Sequence, residues 1–121
     1  MMGEFVATIL LGAEMAHRAH LRAQGEGSHA RHVALADFYS SVRAVADNLA
    51  ETYQGHTLKL LDIPIKTAAT EDIESALKKQ MRWLEARRFD ACDVSESPIQ
   101  NIIDEALGHY KRTIYKLHFL R

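Results

Sequence analysis

The chain predicts an all-α protein, a four-helix bundle forming a single domain over residues 1–121. Three observations carry that expectation. Apolar residues recur at three- and four-residue steps along four stretches of about 20 residues each, the period of an α-helix with one buried face. Short turn signals separate the first stretch from the second and the third from the fourth. A connection of about 15 residues, with Pro64 inside it, separates the second from the third.

The first helix spans about residues 3–24. Phe5, Ile9, Gly12, Ala13, Ala16 and His20 form its inner stripe, flanked by Val6, Leu10, His17 and Leu21. Gln24-Gly25-Glu26-Gly27 breaks it, with Gly25 as a left-handed stop and Ser28 as the next cap. The second helix covers about 29–53 on Leu35, Phe38, Val42, Val45, Leu49 and Tyr53, and Gly55 ends it. The third covers about 71–89 with Thr70 as its cap and Glu71, Asp72 and Glu74 in its first turn. Ile73, Ala76, Leu77, Met81 and Leu84 point inward. Ser97-Pro98-Ile99-Gln100 reads as a capping box with proline at the first helical position. It opens a fourth helix over about 98–119, buried through Ile99, Ile102, Ile103, Ala106, Tyr110, Ile114 and Leu117.

The long connection decides the topology. A 22-residue helix spans roughly 33 Å, whereas fifteen extended residues reach about 50 Å. The segment can travel the length of the bundle and start the third helix at the far end, the crossover of ferritin-like bundles. An up-down bundle with a packed loop is the alternative. The Leu60-Leu61-Asp62-Ile63-Pro64-Ile65 portion is apolar enough to lie against the body.

Composition removes several function classes. The net charge is −1 with acids and bases interspersed, so no basic stripe announces nucleic acid and none is expected as a partner. Arg82, Arg87 and Arg88 with Lys78 and Lys79 sit toward a helix C-terminus, where cations complement the dipole. The apolar run from Phe5 to Met15 is interrupted by Thr8 and Glu14 and is too short to span or anchor in a membrane. Cys92 is the single cysteine, which excludes an internal disulfide and fits a reducing, cytoplasmic setting. Nothing beside it activates a thiolate, so it reads as a small packing residue.

Seven histidines in 121 residues direct attention to metal chemistry. His20 and His32 are 12 residues apart, Asp47 follows His32 by 15, and Glu51 follows Asp47 by 4. Imidazole with carboxylate suits iron, zinc or manganese. His32 and Asp47 share one helix and lie roughly 22 Å apart along it, which no single ion can bridge within one chain. Pairing the first two helices about their turn sets Asp47 level with Phe5, not with His20. A shared site therefore requires a homodimer or higher homo-oligomer. Two antiparallel second helices would bring His20 and His32 of one subunit to Asp47 and Glu51 of another, twice per two-fold. Arg43 and Lys59 are the bases within reach of those acids on the same chain.

Other sets remain open. Glu14-x-x-His17 has the spacing of a carboxylate di-metal helix, and Asp37 lies one position beyond the fourth residue after His32. Glu105 and His109 are four apart rather than three and leave a second such motif incomplete. A mononuclear site near the first turn would combine His17, His20 or His32 with Glu71, Asp72 or Glu74.

His20, His32, Asp47 and Glu51, with the Gly25 turn and the Asp47-Asn48-Leu49-Ala50-Glu51 stretch, resemble the Dps family of mini-ferritins. That resemblance covers roughly residues 17–55. It implies a ferritin-like bundle that oxidises Fe(II) at a site shared across a dimer interface. Leu21 and Ala36 stand where that family has tryptophan and aspartate, and the lysine-rich DNA-binding tail is absent. A second resemblance spans most of the chain. Ala16-His17-x-x-His20-Leu21, Glu51-Thr52-Tyr53-Gln54-Gly55, Gln100-Asn101-Ile102-Ile103-Asp104-Glu105 and Thr113-Ile114-Tyr115-Lys116-Leu117 are similar to a family of small tailed-phage proteins. It implies a phage or prophage origin and, as the alternative to metal chemistry, an interaction or structural bundle with a protein partner.

Overall fold

The computed structural model describes residues 1–69 and 72–120. It is an all-α four-helix bundle of α1 (Met2–Leu21), α2 (Ser28–Thr57), α3 (Ile73–Ala91) and α4 (Ser97–Phe119). Each helix packs on two neighbours: α1 on α2 and α3, α4 on α2 and α3. Consequently α2 and α3 stand on one diagonal, and α1 and α4 on the other.

The connection after α2 is a crossover that runs the length of the bundle. The end of α2 lies beside the α3–α4 turn, where His56 Nδ1 is 3.7 Å from Glu96. The start of α3 lies at the opposite end, where Gln24, Gly27, Asp72, Glu74 and Leu117 line one cleft. All four packed helix pairs are therefore antiparallel. The crossover is held at three points. Leu61 donates its N–H to Gln54 Oε1 at 2.8 Å. The backbone of Asp62 passes so close to Gly3 that a β-carbon there would collide with its carbonyl oxygen. Lys66 Nζ sits 5.2 Å from the Trp83 ring centroid. Leu61 packs on the core, but Leu60 and Ile65 are 88% and 98% exposed. The expectation that this apolar stretch lies on the body holds for Leu61 and not for Leu60 or Ile65.

Several helix ends differ from expectation, each for a local reason. α1 stops at Leu21, where the Arg22 and Ala23 N–H groups bond the Ala19 and His20 carbonyls. Gly25 has φ of 90° but lies in the turn beyond the helix. Gly27, also left-handed, takes the N-cap place of α2, and Ser28 becomes the first helical residue with no capping role. Gly55 does not end α2. The helix runs through it to Leu58, which adopts φ of 58° and bonds the Gln54 carbonyl. A mid-helix glycine costs only about 1 kcal/mol, little beside the packing of a 30-residue helix.

Asp72 caps α3 by accepting the Ser75 N–H at 3.1 Å. The expected cap Thr70 and the first-turn acid Glu71 lie outside the described residues. Glu96, not Ser97, is the N-cap of α4, although Pro98 opens the helix as expected. The capping box does not form because Gln100 is engaged elsewhere. Its Nε2 donates to the Arg88 and Cys92 carbonyls at 3.2 and 2.9 Å, and its Oε1 accepts from Arg88 Nε at 2.9 Å. Arg88 also reaches Asp104 at 2.7 Å. This knot fixes the α3–α4 turn, and Cys92 is buried beneath it, its thiol pushed up by burial.

The core is continuous. Phe38 meets Tyr110 edge-on at 4.9 Å, and Tyr110 donates its hydroxyl to Gln80 Oε1 at 2.9 Å. Gly12 leaves room for both of those polar ends. Leu10 and Leu21, expected near the inner stripe of α1, are 37% and 71% exposed. Among the described residues no helix is long and apolar enough to cross a membrane.

Two predictions follow from these contacts. Gln100→Ala strands Arg88 Nε and the Cys92 carbonyl, and urea melts should register a loss of about 1–3 kcal/mol. Glu74, mostly buried, accepts from Lys78 at 2.8 Å and from His118 at 3.0 Å. Lys78 first and His118 second pull its carboxyl down to about 2. A depressed carboxyl adds stability above its unfolded value near 4.5 and loses it as pH falls toward 2. Acid titration of wild type against Glu74→Gln should show an extra loss on the order of 2 kcal/mol across that window in wild type alone.

Candidate metal centre

The turn between α1 and α2 folds the last residues of one helix against the first residues of the next. It brings His20 and His32 face to face, their rings 3.6 Å apart and 23° from parallel. His20 Nδ1 lies 2.8 Å from the His32 carbonyl oxygen, and His32 Nδ1 lies 3.1 Å from the His20 carbonyl oxygen. A carbonyl can only accept, so in each neutral ring Nδ1 carries the hydrogen and Nε2 keeps its lone pair. An imidazole tied through one nitrogen to a backbone carbonyl is the arrangement that orients a metal-bound histidine. His20 is half-buried and His32 exposed.

His17 is in the opposite state. Its Nδ1 lies 3.4 Å from Arg43 Nη1, and a guanidinium only donates. Nδ1 is thus the acceptor, and Nε2 carries the hydrogen. Arg43 Nη2 donates at 3.1 Å to Glu14 Oε2, while Arg18 Nε donates at 2.9 Å to Glu14 Oε1. The Glu14-x-x-His17 motif is therefore filled by arginine. Tyr39 stacks on His17 at 4.1 Å and 11°, stands edge-on to His20 at 5.5 Å, and carries the Arg43 guanidinium 5.1 Å from its ring centre. Sequence levels alone do not reveal this cluster. Side chains on α2 tilt toward its N-terminus, so Arg43 and Tyr39 reach back toward the hairpin, past the residues opposite them.

Asp47 and Glu51 are exposed on the outward side of α2, and Asp37 is exposed nearer the turn. Arg43 is committed to Glu14 and His17 and does not pair with Asp47. Among the described residues no three His, Cys, Asp or Glu side chains gather to hold a metal ion within one chain. Near the turn, Asp72 is occupied as a helix cap and Glu74 by Lys78 and His118. On α4, Arg112 donates to His109 Nδ1 at 3.2 Å, and Glu105 is 4.0 Å from Nε2. Burial first, and Arg112 second, hold His109 below the usual imidazole range.

Residues 20–117 match the family described as Family of unknown function (DUF5856). No curated protein and no solved structure matches the chain. The matched span includes His20, His32, Arg43, Asp47 and Glu51 and begins after Glu14 and His17.

The tautomers are directly measurable. Side-chain 15N shifts at neutral pH should assign the Nδ1–H form to His20 and His32 and the Nε2–H form to His17. One common form for all three would contradict the geometry.

Proposed function

The chain belongs to the DUF5856 family, and from its own geometry we propose a ferritin-like, Dps-like metal-binding protein with its site shared between subunits. The observation that carries this reading is the His20–His32 pair, each ring tied to the opposite carbonyl with Nε2 left open. Asp47 and Glu51 of a second subunit complete the donor set. Exposed carboxylates four apart on one helix face supply the anionic half. Together they form a nitrogen–oxygen set suited to iron, with zinc or manganese as competitors.

The required assembly has a definite register. Levelling His32 with residue 49, midway between Asp47 and Glu51, sets a two-fold axis between Ser40 and Ser41. Ala36, Ser40 and Ala44 then line the crossing, and small side chains let two helices approach to about 8 Å. Ferrous iron is the cargo in this reading. Its oxidation by dioxygen passes electrons from iron to oxygen, and the histidines and carboxylates position the ion for that loss. The single buried cysteine fits a reducing cytoplasm.

A second reading has one observation in its favour. Leu58, Leu60 and Ile65 are 88%, 88% and 98% exposed, a surface suited to a non-enzymatic, phage-encoded interaction or structural bundle without metal. Untagged protein soaked anaerobically with Fe(II) separates the two, since absence of stoichiometric iron favours the interaction bundle.

The shared site makes joint predictions. Light scattering at micromolar concentration should find a dimer or larger species, and a monomer would end the proposal. His32→Ala and Glu51→Ala should each slow Fe(II) oxidation by about tenfold or more. Ser40→Arg should abolish assembly and iron uptake together.

A further inference from the structure

Arg43 occupies the place a cation would take between Glu14 and His17. One guanidinium nitrogen faces His17 Nδ1 at 3.4 Å, and the other faces Glu14 Oε2 at 3.1 Å. These are an imidazole lone pair and a carboxylate one helical turn apart, the donors a divalent ion would use. The two side chains are also held in place. Tyr39 stacks flat on His17 and fixes its ring, and Arg18 steadies the other oxygen of Glu14. We infer that Glu14 and His17 form a latent metal site in a single chain, that Arg43 is its resident cation, and that this arginine excludes metal from α1.

The choice of residue matters. The planar fork of a guanidinium satisfies both groups at once. A competing ion must displace a tethered charge and then bind beside it. Arg43 thereby withdraws the only His–Glu pair at di-metal spacing on α1. The open lone pairs of His20 and His32 are left as the imidazole donors on this side of the hairpin. The inference concerns His17 and Glu14 and does not depend on the inter-subunit site.

Cobalt(II) titration of the untagged full chain, followed by visible absorption, tests it. His32→Ala removes the carbonyl-locked pair and should bind little cobalt. Adding Arg43→Gln should restore one equivalent, tighter by about tenfold or more once the like charge is gone. A further Glu14→Gln should remove that gain, and Arg43→Lys in place of Arg43→Gln should not produce it. No gain in the double variant, or a gain indifferent to Glu14→Gln, would overturn the inference. Should His32→Ala unfold the hairpin, Arg43→Gln alone serves. Zinc addition should then shift the His17 side-chain 15N resonances, and unmoved His17 resonances would equally overturn it. Failure of wild type to bind any metal counts against the shared site and leaves these outcomes as decisive as before.

Discussion

The direction of α3 is the constraint on which the rest of the molecule depends. Because the crossover carries the chain back along the bundle, α3 starts beside the α1–α2 turn, and every packed helix pair is antiparallel. Adjacent helices then set opposite dipole ends side by side, a favourable arrangement. The same connectivity gathers His20, His32, Glu74 and His118 at one end of the molecule. The extended segment that makes this possible follows the groove between α1 and α3. Gly3 admits the Asp62 backbone, and Gln54 and Lys66 reach across to fasten it. A β-carbon at residue 3 would lift the crossover away from α1 at its point of closest approach.

The histidine pair serves the hairpin as well as any cation. The last carbonyls of a helix have no partner within it. His32 donates to the His20 carbonyl, which also accepts the Ala23 N–H. His20 returns the bond to the first turns of α2. The two rings thus close the mouth of the turn through their Nδ1 atoms. Removing either ring breaks its bond across the hairpin.

The architecture was legible in the sequence because it rests on period and length. Apolar stripes at helical spacing and one connection too long for a turn gave four helices and their topology. The twelve-residue interval about a turn brought His20 and His32 together for the same reason. The caps were harder to read. Ser28 and Ser97 each stand next to the true N-cap, and only the conformations of Gly27 and Glu96 decide which residue stops the chain. The side-chain contests were illegible. Arg43 lies 29 residues from Glu14, and its capture of the Glu14-x-x-His17 motif follows from the tilt of side chains along α2, not from spacing. Likewise, Gln100 could complete a capping box or bind the Arg88 and Cys92 carbonyls. Burial of the Cys92 carbonyl settles the matter, since an unpaired buried acceptor costs more than an unused surface cap.

The charge around the hairpin bears on the proposed sharing of a site between subunits. Arg18 and Arg43 share the single carboxylate of Glu14, which leaves a positive excess beside His20. Within about 8 Å, the Debye length at physiological salt, such an excess opposes a divalent ion approaching the Nε2 atoms. Neutral imidazoles supply lone pairs but no charge to offset it. Asp47 and Glu51 cannot bend back along α2 to help, and Asp72 and Glu74 at the start of α3 are already engaged by Ser75, Lys78 and His118. In the proposed shared site, anionic compensation comes from the α2 of another copy. On that proposal metal occupancy and assembly would be linked in both directions, each ion stabilising the pair of chains and each pair supplying the carboxylates that favour binding.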